Sequence, residues 1–233
     1  MASIVGDESA SEYVFALAAL IGNDREWLSL ERNWNKRTAG AVFHAAECES
    51  DRGDFCRYSH AENLSLYADL TSIIATSGVR GFGIALDLVT FREVFPSPPE
   101  MAYYWCFIGV VRHFAAEERY RDGTCMDFVF DHRQDGGHNV GALYNCFLSP
   151  DWSNENTSLG ARLMFDSRKN IRIQAADLVA RETMKAMDNI VGLKQRPLRR
   201  SMLALKEAGE RFNFKAVTNR ADHGFFLNWP DSI

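Results

Sequence analysis

Two apolar runs stand almost back to back at the start of the chain, Ile4-Val5-Gly6 and then Tyr13 to Ile21, with Asp7-Glu8-Ser9 and three more residues between them. The second strand-like run thus begins almost at once after the two carboxylates. If the first run is a central strand, Asp7 and Glu8 sit at its carboxyl end, where open α/β sheets place their ligands. Adjacent strand residues point to opposite faces, so at most one of the two aims at a given side. By itself the pair reads equally well as a polar strand cap. What decides is whether other acids fall at equivalent places.

They do. Asn23-Asp24-Arg25-Glu26 is a capping box opening a helix with Trp27, Leu30 and Trp34 on one face. Ala41 to His44 is a candidate third strand, with His44 read first as a hydrogen-bonded structural residue. A polar loop follows from Glu47 to Arg57. Ser59-His60-Ala61-Glu62 opens a second helix, stopped by Gly78. Gly81 to Asp87 then reads as a strand ending in an acid; its Gly-x-Gly lacks the third glycine of a dinucleotide loop. Ser97-Pro98-Pro99-Glu100 starts a helix that is apolar nearly all round through Phe114, the pattern of a buried element.

Cys125 to Asp131 is another apolar strand closed by an acid. In the loop His132 to His138, a metal set of Asp131, His132, Asp135 and His138 has no histidine spacing typical of ligands. A helix from Asn139 to Phe147 and a strand from Gly160 to Phe165, ending at Asp166, come next. The stretch Ile171 to Met187 contains no Pro or Gly, and Ile173, Ala176, Ala180, Met184 and Met187 gather on one helical arc. Asp177 lies at the inner edge of that arc, flanked by Gln174 and Arg181 on the polar side. A carboxylate there is costly to bury unless something pairs with it. Either an arginine bridges to it, or a metal ion lies between helix and sheet.

Charge narrows the partner classes. The net charge of -5 argues against coating nucleic acid by bulk electrostatics. Between Val191 and Arg220, however, eight Lys or Arg face two Glu, the pattern of a basic helical C-terminal segment over about 191–220. The five cysteines include no Cys-x-x-Cys pair and read as reduced core residues of an intracellular, cytoplasmic protein. No run approaches the roughly 18 apolar residues of a membrane span. The whole chain, 1–233, is expected to form a single domain.

The alternation of strands and helices, with acids at strand ends and one in the last core helix, suits a ribonuclease H-like α/β layout: a mixed sheet flanked by helices, antiparallel in its first strands. The start Asp7-Glu8-Ser9 (with Ala10 where a glycine is usual), the strand end Phe130-Asp131, and Asp166-Ser167 leading into Gln174-Ala175-Ala176-Asp177 resemble the DUF3800 family across nearly the whole chain. Phe43-His44-Ala45 is similar to that family's short histidine motif. The resemblance implies a metal-dependent nuclease-like site with Asp7 and Asp177, then Glu8 and Asp131, as catalytic residues. Asp7, Asp131 and Asp177 would be the ligands of Mg²⁺ or Mn²⁺, and Asp87 competes with Asp131. Two hard cations about 4 Å apart can hydrolyse a phosphodiester when a carboxylate cluster holds both. Gln174, Arg199 and Arg200 are the candidate substrate-binding residues, with nucleic acid as the expected partner. The alternative is a non-catalytic binding or regulatory module on the same fold, which the acidic charge and the lack of an aromatic-basic groove favour.

Overall fold

The two opening runs form β1 (Ala2–Ala10) and β2 (Val14–Gly22), paired antiparallel with Asp7 opposite Ala18. The Ser11 hydroxyl accepts from the Val14 amide at 3.1 Å and tightens the turn between them. The computed structural model describes residues 2–94, 100–115, 126–131 and 159–218. Helix α1 (Asp24–Thr38) starts at the Asn23 capping box, and α3 (His60–Thr76) at that of Ser59, each with both reciprocal bonds present. Between them lie α2 (Ala45–Glu49) and a 3₁₀ turn over Gly53–Arg57. β3 (Arg80–Asp87) leads into α4 (Leu88–Val94) and α5 (Glu100–Ala115). After these come β4 (Met126–Asp131), β5 (Leu159–Asp166), the 21-residue α6 (Ile171–Val191), α7 (Arg200–Glu207) and β6 (Phe212–Val217).

The strands form one mixed sheet in the order β5-β4-β1-β2-β3-β6. β1, β2 and β3 are antiparallel to their neighbours in turn, while β4 runs parallel to β1 and β5 parallel to β4. This is the expected ribonuclease H-like layout, extended by β6 lying parallel along β3. Strand alternation sorts the core into two layers. On one face Ile4, Leu17, Ile84, Phe128 and Phe130 pack against α5. On the other, Val5, Ala18 and Leu20 pack under α1, α3 and α6.

Two elements depart from the sequence reading. Residues 41–44 make no sheet pairing, because the Phe43 amide donates to the Gln174 side chain at 3.0 Å and His44 opens α2. Among the described residues the basic segment is α-helical over Arg200–Glu207, followed by a 3₁₀ turn at Gly209–Arg211; its later part joins the sheet edge as β6, where Phe212 and Val217 are buried. The Ser97 capping box, the loop with His132, Asp135 and His138, and the helix expected over 139–147 lie outside the described residues. Among the described residues no helix is long and apolar enough to cross a membrane.

Candidate functional site

Helix α6 lies along β1 and is pinned to it on both sides of Asp7. Near its start Arg172 Nη1 donates to the Ser3 hydroxyl at 3.1 Å. Towards its end Asp188 Oδ1 accepts from the Ser11 hydroxyl at 2.8 Å. Asp177 falls between those pins on the helix, as Asp7 falls between Ser3 and Ser11 on the strand. The sheet adds a third carboxylate. Gly6 pairs with Phe130, so Asp7 and Asp131 are the next residues on two parallel neighbours. Val5 and Val129 both pack into the α6-side core, and alternation puts Asp7 and Asp131 on that same side. Gly6 itself must lack a side chain, because a Cβ there would collide with the Phe130 ring.

The three aspartates therefore share one electrostatic site. Asp7 is 5% exposed and Asp177 6%. Burial pushes the Asp7 carboxyl well above the usual carboxylate range, and the charges of Asp177, Glu8 and Asp131 push it further. The Glu8 amide, donating to Asp7 Oδ1 at 2.8 Å, opposes this and is the only hydrogen bond to that carboxylate among the described residues. Burial also raises Asp177, while His44, the Ala45 amide, Arg168 and Arg181 act the other way. The Ala45 amide donates to Asp177 Oδ2 at 2.7 Å, which fixes the carboxylate against the start of α2.

No arginine bridges Asp177 among the described residues. Arg181, the natural candidate, is engaged by Glu49 at 2.8 Å. Arg168 approaches Asp131 instead, Nε to Oδ2 at 3.5 Å, with most of its side chain in solvent. His44 stands beside this group. Its Nδ1 is buried without a hydrogen bond, 3.5 Å from Glu47 Oε1. Sequence reading gave His44 and Arg168 no part in the site; the only signal was the Phe43-His44-Ala45 likeness.

Several expected roles change. Alternation turns Glu8 to the α5 side of β1, so it shares its charge with Asp7 but not its face. Asp87 is not a rival to Asp131. It accepts from the Val89 amide at 2.9 Å and the Thr90 hydroxyl at 2.7 Å, capping α4. Gln174 is 3% exposed and internally committed, which removes it from substrate contact. Its Oε1 accepts from Trp34 Nε1 and the Phe43 amide, both at 3.0 Å, and its Nε2 donates to the Arg168 carbonyl at 2.9 Å. Arg199 is likewise engaged, by Glu49 at 3.2 Å, by fully buried Glu182 at 3.3 Å and over the Tyr67 ring. Arg200 is exposed at the start of α7.

Oxygen-only donors suit a hard divalent cation. A buried Asp7 without a cationic partner among the described residues, crowded by two other aspartates, fits such an ion. As the side chains stand, no three His, Cys, Asp or Glu among the described residues converge to ligand spacing.

No family model matches the chain, and no curated protein matches it. A crystal structure of a mutant of Bst-RNase HIII is similar over 88% of this chain, at 13% identity and a TM-score of 0.42. The match spans 64% of that protein, less than two thirds of its length.

Proposed function

We propose that this chain is a metal-dependent nuclease that hydrolyses phosphodiester bonds of DNA or RNA, with Asp7, Asp131 and Asp177 holding the metal. The observation that carries the reading is the Asp7 carboxyl, buried and raised by its acidic neighbours with no cation beside it among the described residues. The resemblance to the DUF3800 family, carried by Asp7-Glu8 and by Gln174 with Asp177, supports it. Bound there, Mg²⁺ or Mn²⁺ would supply Lewis-acid activation of the attacking water and of the leaving oxygen.

The chain supplies the rest. The Ala45 amide orients Asp177, and Gln174 ties the 43–45 segment and the Arg168 turn to the same helix. Arg168, mostly solvated and beside Asp131, is placed to meet a phosphate oxygen. His44, which acts on Asp177 and has its Nδ1 3.5 Å from Glu47 Oε1, is the group available to hold or move a proton.

The other reading, a non-catalytic binding module, is favoured by the lack of three groups at ligand spacing among the described residues. Two measurements separate them: Mn²⁺ binding by calorimetry, and cleavage of labelled single- and double-stranded DNA and RNA in Mg²⁺ or Mn²⁺. Under the nuclease reading wild type binds and cuts, whereas Asp7→Asn and Asp177→Asn do neither. Nucleic-acid binding without metal uptake or cleavage would establish the module instead.

A further inference from the structure

Asp177 and Arg181 stand one turn apart on α6. Helical side chains lean towards the helix start, so an acid followed four residues later by an arginine ordinarily forms a pair. Here Arg181 turns elsewhere. Its Nε donates to Glu49 Oε2 at 2.8 Å, while Asp177 Oδ2 accepts from the Ala45 amide at 2.7 Å. Ala45 and Glu49 are the first and last residues of α2, so one turn of α2 is matched to one turn of α6. The first end gives Asp177 a neutral donor, and the second takes its cation away. Glu49 has the charge for this. Burial alone would raise its carboxyl, but Arg199, Arg181 and Lys185 hold it below the usual carboxylate range. Its Oε1 accepts from Arg199 Nη1 at 3.2 Å, and Arg199 has a second anchor in Glu182 at 3.3 Å. Among the described residues Glu49 is the one carboxylate that pairs with Arg181.

We infer that Glu49 is a positioning residue of the candidate metal site: it draws Arg181 away from Asp177 and leaves that carboxylate open to a divalent cation. The inference rests on the nuclease reading and deepens it, naming what keeps the site from closing on its own helix. With Glu49 neutral, Arg199 keeps Glu182, whereas Arg181 loses its partner. The Arg181 side chain is only 16% exposed, so water offers it little. Asp177, on which its charge already acts, is the carboxylate one turn behind it. A guanidinium drawn there would take the oxygen that the Ala45 amide does not use and cancel the charge that attracts the ion.

The test is a calorimetric titration of Mn²⁺ into the full chain and three variants: Glu49→Gln, Arg181→Met and the two combined. Glu49→Gln keeps the size and removes the charge, so Asp177 becomes the stronger acceptor for Arg181. Mn²⁺ binding should weaken about tenfold or more, the scale of one charge-assisted hydrogen bond. Arg181→Met removes the competitor and should bind as tightly as wild type or tighter. The double variant should bind like Arg181→Met, a rescue of the Glu49 defect by a second loss. A pair that only braces α2 against α6 behaves differently. Losing either partner then breaks the brace, and all three variants weaken alike. Should Glu49→Gln fail to fold, Arg181→Met decides alone: binding at or above the wild-type affinity supports the inference, and weaker binding overturns it. Glu49→Gln binding like wild type, or a double variant as weak as Glu49→Gln, overturns it and leaves the nuclease reading in place. A wild type that takes up no Mn²⁺ overturns both.

Discussion

The carboxylate of Asp177 on α6 is the charge that most raises Asp7 on β1, and neither has an ion-pair partner among the described residues. Without metal this arrangement works against the fold at neutral pH. A folded-state pKa above the ordinary value of 3.8 means that the native protein holds its proton where the unfolded chain has released it. Stability is therefore lost as pH rises through the raised Asp7 value and regained as pH falls towards the unfolded one.

The first prediction follows from that sign. In EDTA, wild type should gain stability on acidification from neutral pH through the window above 3.8, and Asp7→Asn should flatten that part of the profile. At neutral pH the variant should melt a few degrees higher, since one kcal/mol is worth about 2–4 °C in a chain of this size. Chemical denaturation across pH checks it. Parallel profiles for the two proteins would show that the Asp7 charge is already compensated.

Gln174 carries a second prediction. Truncation to Ala removes the acceptor for two buried donors, Trp34 Nε1 and the Phe43 amide. Leaving each unsatisfied costs about 1–3 kcal/mol, so Gln174→Ala should lose about 2–6 kcal/mol in urea unfolding. Gln174→Glu keeps that acceptor and should lose less. If the residue contacted substrate instead, both variants would be near neutral in stability and defective in binding.

The sequence shows the sheet better than the segment that completes the site. β1, β2, β3, β4, β5 and α6 are legible because short apolar runs and a period-3.6 apolar arc report burial directly, and the capping boxes at Asn23 and Ser59 mark helix starts by local bonds. Asp7 and Asp177 stand out because each is a carboxylate that breaks an apolar pattern, although β1 runs on to Ala10 and so Asp7 lies within the strand rather than at its expected end. Arg199 and Gln174 look available in the sequence because polarity says nothing about tertiary partners. The groups that engage them, Glu49 and Glu182 for Arg199 and the Trp34 indole and Phe43 amide for Gln174, lie on other elements or other turns of the chain. The Phe43–Ala45 segment is apolar enough to resemble a strand, yet its amides are spent on side chains of α6. Side-chain to backbone bonds between distant elements leave no periodicity to read.

Arg199 and Arg200 should separate cleanly as a third prediction. Arg199→Ala removes the cation paired with Glu182, which is fully buried and otherwise bonded to the Tyr67 hydroxyl at 2.7 Å. Stranding one member of a buried pair costs about 3–5 kcal/mol. Arg200→Ala, at an exposed position, should stay within about 0.5 kcal/mol. Pairing Arg199→Met with Glu182→Gln should recover much of the loss, because the uncompensated charge is gone. Unfolding curves of the four proteins decide it, and equal effects at 199 and 200 would remove the structural role assigned to Arg199.

The last prediction tests the metal site without knowledge of the substrate. If an ion binds only the folded form, it stabilises by RT ln(1 + [L]/Kd), about 2.7 kcal/mol at a hundredfold excess over Kd. That should raise the melting temperature of wild type by several degrees, on the order of 5 °C, in Mg²⁺ or Mn²⁺ over EDTA. Asp177→Asn should do two things together. Its amide oxygen can still accept from the Ala45 amide, so the contact with α2 survives while one of the crowded charges disappears. The metal-free variant should therefore melt higher than metal-free wild type, and the metal-dependent rise should vanish. A purely structural Asp177 requires the opposite pattern. The cations that act on it, Arg168 and Arg181, would lose their counter-charge, and the variant would melt lower while keeping the full increment from metal. The two readings differ in the sign of the first shift and in the presence of the second, so one melting series on two proteins distinguishes them.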